Sequence, residues 1–181
     1  MDAIRFIISS LLSLVFFAFL LRVILQLARA DFRNAIAQAV VRVTNPLVLP
    51  LRRVIPPIGK VDLASIVALL IVELIVICIQ LWLYTGTIPP GRSLLLVAAV
   101  DLARSIIWFY IVALFIYVVL SWIAPGTYSP AGALLDRICE PLVAPVRRIV
   151  PPVGGLDLSV LFVMILLGAL LRLLPTPALP I

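Results

Sequence analysis

The sequence predicts an all-α membrane protein in which four transmembrane helices form two parallel tandem repeats, each with an amphipathic interfacial helix and a Pro/Arg-rich loop. Three observations lead there. Hydrophobic residues fill 65% of the 181 positions and charged residues 12%, against roughly 45–50% and about 25% in soluble domains, a surplus that no soluble core absorbs. Apolar runs near 4 to 27, 63 to 84, 94 to 122 and 157 to 174 approach or exceed the roughly 17–25 residues that cross a bilayer as a helix. Finally, Asn45-Pro-Leu-Val-Leu-Pro-Leu-Arg-Arg-Val-Ile-Pro-Pro-Ile-Gly59 returns as Glu140-Pro-Leu-Val-Ala-Pro-Val-Arg-Arg-Ile-Val-Pro-Pro-Val-Gly154 at a constant offset of 95, and the match extends to Asp62-Leu63 and Asp157-Leu158. Self-similarity of this kind marks a duplicated structural unit.

The first run ends before Ala28-Arg29-Ala30, which resembles a signal-peptidase site. A signal h-region is about 7–15 residues. This run is longer, is broken by Arg22 and has a counterpart inside the chain, so it is expected to stay as a span. An amphipathic helix is predicted from about Asp31 to Val43, with Asp31 as N-cap and Phe32, Ile36, Val40 and Val43 at near-helical spacing. It suits either the lipid interface or the base of the bundle. Pro46, Pro50, Pro56 and Pro57, followed by Gly59, predict a stiff non-helical loop, because proline lacks a donor and fixes φ. Backbone of that kind belongs in the headgroup region, or re-enters the bilayer only if covered by protein. Asp62 then stands where the second span begins, placed to accept from free amides of its first turn.

The second unit repeats this order. A turn-rich link, Thr85-Gly-Thr-Ile-Pro-Pro-Gly91, divides the chain into a first repeat at 1–85, an outer linker at 86–92 and a second repeat at 93–181. Ser129 is the expected N-cap and Pro130 suits the first turn, with Leu134, Leu135 and Ile138 on one side and Asp136 and Arg137 on the other. Pro141, Pro145, Pro151, Pro152 and Gly154 predict the second loop, and Asp157 the start of the fourth span. Two spans per unit return the chain to its starting side, which makes the repeats parallel.

The net charge of +6 resides in arginines beside the spans rather than in a basic face for nucleic acid. Arg29, Arg33, Arg42, Arg52, Arg53 and Lys60 lie between spans one and two, and Arg137, Arg147 and Arg148 between spans three and four. The positive-inside rule makes these loops cytoplasmic and puts both termini outside. Cys78 and Cys139 form neither a disulfide framework nor a CxxC motif. Histidine is absent, which removes the usual general base and the commonest zinc and haem ligand. No catalytic residue, metal site or cofactor is expected, and an enzyme is the least favoured class.

The residues expected to bind are Arg52, Arg53, Arg147 and Arg148. A guanidinium fork matches phosphate and carboxylate, so paired forks on a rigid loop can hold an anion or an acidic partner. The plainer alternative is that they set orientation and touch lipid phosphates. Glu73 lies about 11 residues past Asp62, roughly 16 Å into a core about 30 Å thick, where an acid needs a partner or a proton. Arg22 either snorkels outward or pairs with it, the rival being a protonated, hydrogen-bonded Glu73. The offset places Tyr117 and Gly168 at the equivalent positions, so this polar pair is not duplicated. Asp101 and Arg104 are three apart and suit a local ion pair. Trp82, Tyr84, Trp108 and Trp122 include interface anchors.

At the repeated Asn/Glu-Pro-Leu-x-x-Pro-x-Arg-Arg-x-x-Pro-Pro-x-Gly-x-x-Asp pattern the chain resembles the YggT (YlmG) family of small bacterial and plastid membrane proteins, over nearly its whole length. Cys139-Glu140-Pro141 departs from the family's Thr-Glu-Pro, Thr44-Asn45-Pro46 changes the Glu, and Lys60 stands where the second copy has Gly155. Ser121-Trp122 is similar to the family's ending of the first span, whereas the first copy has Gln26-Leu27. The resemblance implies a bacterial inner-membrane protein with no established catalysis. Relatives are associated with assembly of membrane complexes, division-related gene neighbourhoods and osmotic or ion tolerance. Two functions are therefore expected as alternatives. One is a structural, assembly or stress-tolerance factor whose basic loops dock membrane lipids or an acidic membrane-protein partner. The other is a small channel or transporter in ion or osmotic homeostasis, working as a homo-oligomer because four spans leave little room for a pathway.

Overall fold

A computed structural model describes residues 2–57, 62–123, 129–149 and 157–175, and the described residues form six helices. They are α1 (Asp2–Leu27), α2 (Ala35–Val54), α3 (Leu63–Thr85), α4 (Gly91–Ile123), α5 (Pro130–Arg147) and α6 (Leu158–Leu173). Gly59, Pro151, Pro152 and Gly154 of the repeated motif lie outside the described residues.

Three of these helices, α1, α3 and α4, are long and apolar enough to cross a membrane, which makes the chain a helical membrane protein. The expected fourth span, α6, has 16 residues, or about 24 Å of helix against a hydrocarbon core of about 30 Å. At 33 residues α4 extends about 50 Å and has to tilt or protrude. Gly86 ends α3 in the left-handed conformation at φ 71, its N–H donating to the Trp82 carbonyl at 3.0 Å. Nothing lies within 4 Å of where a Cβ would stand, so what glycine supplies here is the positive φ rather than room.

The proline-rich segments correct the sequence reading. Pro46 and Pro50 lie inside α2, and Pro141 and Pro145 inside α5, where a non-helical loop was expected. In each helix the two prolines are four residues apart and exposed, so they share one face. Their missing donors free the carbonyls of Arg42 and Pro46, and of Arg137 and Pro141, on that outer side alone. The opposite face remains closed and packed, through Thr44 and Val48 in α2 and Cys139 and Val143 in α5. An interior proline costs about 3 kcal/mol, and burial of these inner faces offsets it. Burial also raises the Cys139 thiol to about 12, so it is a packing group. The helix does end at Pro56-Pro57: Ile55 is extended, at φ −111 and ψ 103, as steric conflict with a following proline ring demands.

The start of α2 is also shifted. Asn34, not Asp31, is the N-cap, its side chain accepting from Ile36 N at 2.9 Å, while Asp31 accepts from Arg33 N at 2.9 Å in the preceding turn. Asn34 Nδ2 also donates to the Pro130 carbonyl at 2.7 Å, tying the beginnings of α2 and α5 together. Ser129 caps α5 as expected, accepting from Gly132 N at 3.0 Å, with Leu134 and Ile138 buried and Asp136 and Arg137 exposed.

Helix α1 packs on α2 and α3, and α4 on α5 and α6; α3–α4 contacts and the approach of α1 and α2 to α5 join the two groups. The buried stripe of α3 runs Ala64, Ser65, Ala68, Leu69, Val72, Val76, a 3.6-residue period whose small members let α1 approach closely. Close packing matters because lipid tails are as apolar as leucine and leave dispersion as the main apolar attraction between helices.

The cap assignment has a direct check. Asn34→Ala should lower thermal stability in detergent by about 1 kcal/mol, and Asp31→Ala by clearly less; equal losses would return the cap to Asp31.

Candidate functional site

The polar side chains gather where α1 ends, α2 passes and α3 begins. Arg22, on the last turns of α1, is only 3% exposed. Its Nε donates to Ser65 Oγ at 3.0 Å, and one terminal nitrogen donates to Thr44 Oγ1 at 2.6 Å and Asn45 Oδ1 at 2.9 Å. Ser65 Oγ in turn donates to Asp62 Oδ2 at 2.6 Å, and that oxygen accepts from Arg52 Nε at 2.9 Å. One chain of hydrogen bonds thus runs from α2 through the start of α3 to α1. Beside it opens a cavity of about 570 Å³ lined by Arg22, Gln26, Arg42, Asn45 and Arg52 among others.

Asp62 stands at the N-cap position but makes no side-chain bond to the helix amides, contrary to the expected capping; Arg52 and Ser65 occupy its carboxylate instead. Burial works against its charge, yet the hydrogen bonds from Arg52 and Ser65 outweigh that and hold the carboxyl below its ordinary value. The second half builds the same clasp. Arg147 Nε donates to Asp157 Oδ2 at 2.9 Å, and Asp157 Oδ1 caps α6 by accepting from Ser159 N at 3.0 Å. Asp157 is lowered in the same way, burial being outweighed by Arg147 and Ser159. Its hydrogen bond with Asp157 raises the Arg147 value despite partial burial, with Glu140 and the Tyr117 hydroxyl adding to it. Arg53 and Arg148, the second members of each pair, are exposed.

The two halves differ in charge. The first brings a buried cation, Arg22, against a neutral amide, Asn45. At the same offset the second has neutral Tyr117 and acidic Glu140, which lies 3.3 Å from Arg147.

Arg22 does not pair with Glu73. Its guanidinium is held level with Ser65, eight residues before Glu73 on α3, about 12 Å along the helix. Glu73, 2% exposed, has the Asp101 carboxyl of α4 as its acidic neighbour, and its Oε1 has no hydrogen-bond partner among the described residues. Nor do Asp101 and Arg104 form the expected ion pair. Arg104 instead reaches the carbonyls of Leu171, Leu174 and Pro175 at 3.2 to 3.4 Å, where the end of α6 leaves acceptors free.

Ser65, Thr44, Gln26 and Asp101 escaped the sequence reading as site residues. One signal was present: Arg22 and Gln26 are four apart and share a face of α1. No group of three or more His, Cys, Asp or Glu able to hold a metal occurs among the described residues.

Fold and site together define a helical membrane protein whose buried polar chemistry sits at the junction of apolar helices with proline-containing amphipathic ones. The chain belongs to the CCB3/YggT family, which it matches over residues 1–83 and 96–178. It is 33% identical to YggT of Escherichia coli K12 over 92% of this chain and 86% of that protein. A Pseudomonas aeruginosa protein is 42% identical over 87% of this chain and 80% of its own length, and a Vibrio alginolyticus protein encoded in a proC 3' region is 37% identical over 91% and 89%. All three are described as uncharacterised. No solved structure matches the chain.

The clasp makes a pH-dependent contribution. Because both aspartates are lowered in the folded state, their stabilisation is present above the unfolded value of about 3.8 and is lost as pH falls through the lower folded values. A double-mutant cycle of Arg52→Gln with Asp62→Asn should give a coupling of about 0.5–1 kcal/mol at neutral pH that vanishes in acid; no coupling at neutral pH would refute the clasp.

Proposed function

We propose that this chain is a non-enzymatic scaffold of the bacterial inner membrane, an assembly or stress-tolerance factor that docks anionic lipid or an acidic membrane-protein partner through one basic end. In this reading α1, α3, α4 and α6 are four spans in two parallel repeats, α2 and α5 lie at the cytoplasmic interface, and both termini face the periplasm. The observation that carries it is the division of labour within each Arg-Arg pair. Arg52 and Arg147 are tied to aspartates, while Arg53 and Arg148 stay exposed beside them. The first arginine holds the helix junction, and the second is free to bind. Exposed charge contacts of this kind weaken with salt.

In vivo crosslinking from probes beside Arg53 and Arg148 tests this. Combined Arg53→Gln and Arg148→Gln should leave membrane insertion intact and abolish recovery of the captured partner or lipid; unchanged recovery would sink the docking role.

A second reading, an ion channel or transporter working as a homo-oligomer, is favoured by one observation: the buried Glu73 carboxyl with half-buried Asp101 as its neighbour. Purified protein in liposomes should then carry a cation or proton flux that Glu73→Gln removes, and absence of flux would leave the scaffold reading.

A further inference from the structure

The cavity between α1, α2 and α3 carries more than the clasp that borders it. Three arginines and one aspartate line it, and the aspartate is already engaged by Arg52 and Ser65. Arg22 is 97% buried by its 3% exposure, yet its hydrogen-bond partners are two hydroxyls, an amide oxygen and a backbone carbonyl. Among the described residues it makes no ion pair. Its nearest negative charge, Asp62, acts on it across Ser65 and is shared with Arg52; a buried cation with no counter-charge in direct contact is expensive, and an anion seated beside it relieves that cost. Gln26 adds a second vacancy on the same helix face: its Nε2 is buried and donates to nothing among the described residues. Arg42, exposed on α2, closes the group of donors from the far side.

Size and position narrow the ligand. A volume of about 570 Å³ exceeds what a halide fills and lies within the roughly 300–1,000 Å³ of small-ligand sites. Arginine forks match the tetrahedral oxygens of phosphate. The cavity lies where the apolar stretches of α1 and α3 meet polar sequence, the depth at which a bilayer places its phosphates. The second half supplies an internal contrast, since Tyr117 and Glu140 replace Arg22 and Asn45 and surround Arg147 with acceptors.

We propose that Arg22, Gln26, Arg42 and Arg52 form a binding site for one phosphate group, belonging to a lipid headgroup or to a free phosphate, in the first half of the chain only. Arg22 supplies the buried charge, Gln26 a fixed neutral donor, and Arg42 a charge at the mouth. The site goes beyond the docking reading, because it leaves Arg53 and Arg148 out, and the two ideas fail separately.

The experiment uses the full chain in maltoside detergent, which contains no phosphate. One arm titrates inorganic phosphate against chloride at constant ionic strength, read by thermal shift. The other adds phosphatidic acid or phosphatidylglycerol, counted by native mass spectrometry. One saturable site is expected in the phosphate arm, and in the lipid arm one bound lipid that Arg42→Gln removes. Binding in both arms identifies the phosphate group itself as the ligand, and binding in the lipid arm alone identifies a headgroup site. Arg42→Gln and Gln26→Leu, neither of which removes the buried charge that supports the fold, should each weaken binding roughly tenfold or more, while Arg92→Gln, at the exposed start of α4, leaves it unchanged. Absence of binding in both arms, or affinity unaltered in Arg42→Gln and Gln26→Leu, would overturn the site.

Discussion

The structure depends on a short electrostatic clasp: an arginine from the last turn of a proline-containing amphipathic helix reaches ten residues forward to the aspartate that opens the next apolar helix. That contact fixes where α3 and α6 start relative to α2 and α5. Partial burial strengthens it, and the paired aspartates stay ionised because their hydrogen bonds outweigh the loss of solvent. Everything else at this end of the bundle is arranged around it. In the first half Ser65 links the clasp to Arg22, and in the second half Tyr117 and Glu140 crowd Arg147 directly.

The prolines follow from the same constraint. Each Arg-Arg pair falls at the C-terminal end of its proline-containing helix, beside the aspartate that opens the next one. The opened carbonyls lie on the exposed side, where headgroups or water can hydrogen-bond to them. Placing both prolines on one face confines the disruption, so the inner face, with Thr44, Val48, Cys139 and Val143, remains continuous enough to pack.

The bundle contains polar chemistry at two depths. At the α2 end the cation Arg22 lies within neutral and partly compensated surroundings. Deeper in, the buried Glu73 carboxyl of α3 has Asp101 of α4 as its acidic neighbour. The two sets are separated along α3, and Arg22 is satisfied by its local partners rather than by Glu73. This is the economical outcome in a medium of low dielectric, where a direct hydrogen bond at about 3 Å outweighs a charge two helical turns away.

Composition and periodicity alone determined the apolar helices of this protein: the ends of α1, α3 and α4 fall within a few residues of the apolar runs, and Ser129 caps α5, because hydrophobicity and capping act over a few neighbouring positions. The 95-residue offset likewise pointed to Arg52, Asp62, Arg147 and Asp157 as related positions. Only the tertiary structure decided who meets whom. Arg22 finds Ser65, 43 residues away, rather than Glu73; Arg104 finds the end of α6 rather than Asp101; and prolines that argue locally against a helix are carried within one. Pairing depends on the distances and levels at which helices cross, and those are set by the packing of whole faces, which no short stretch of sequence records.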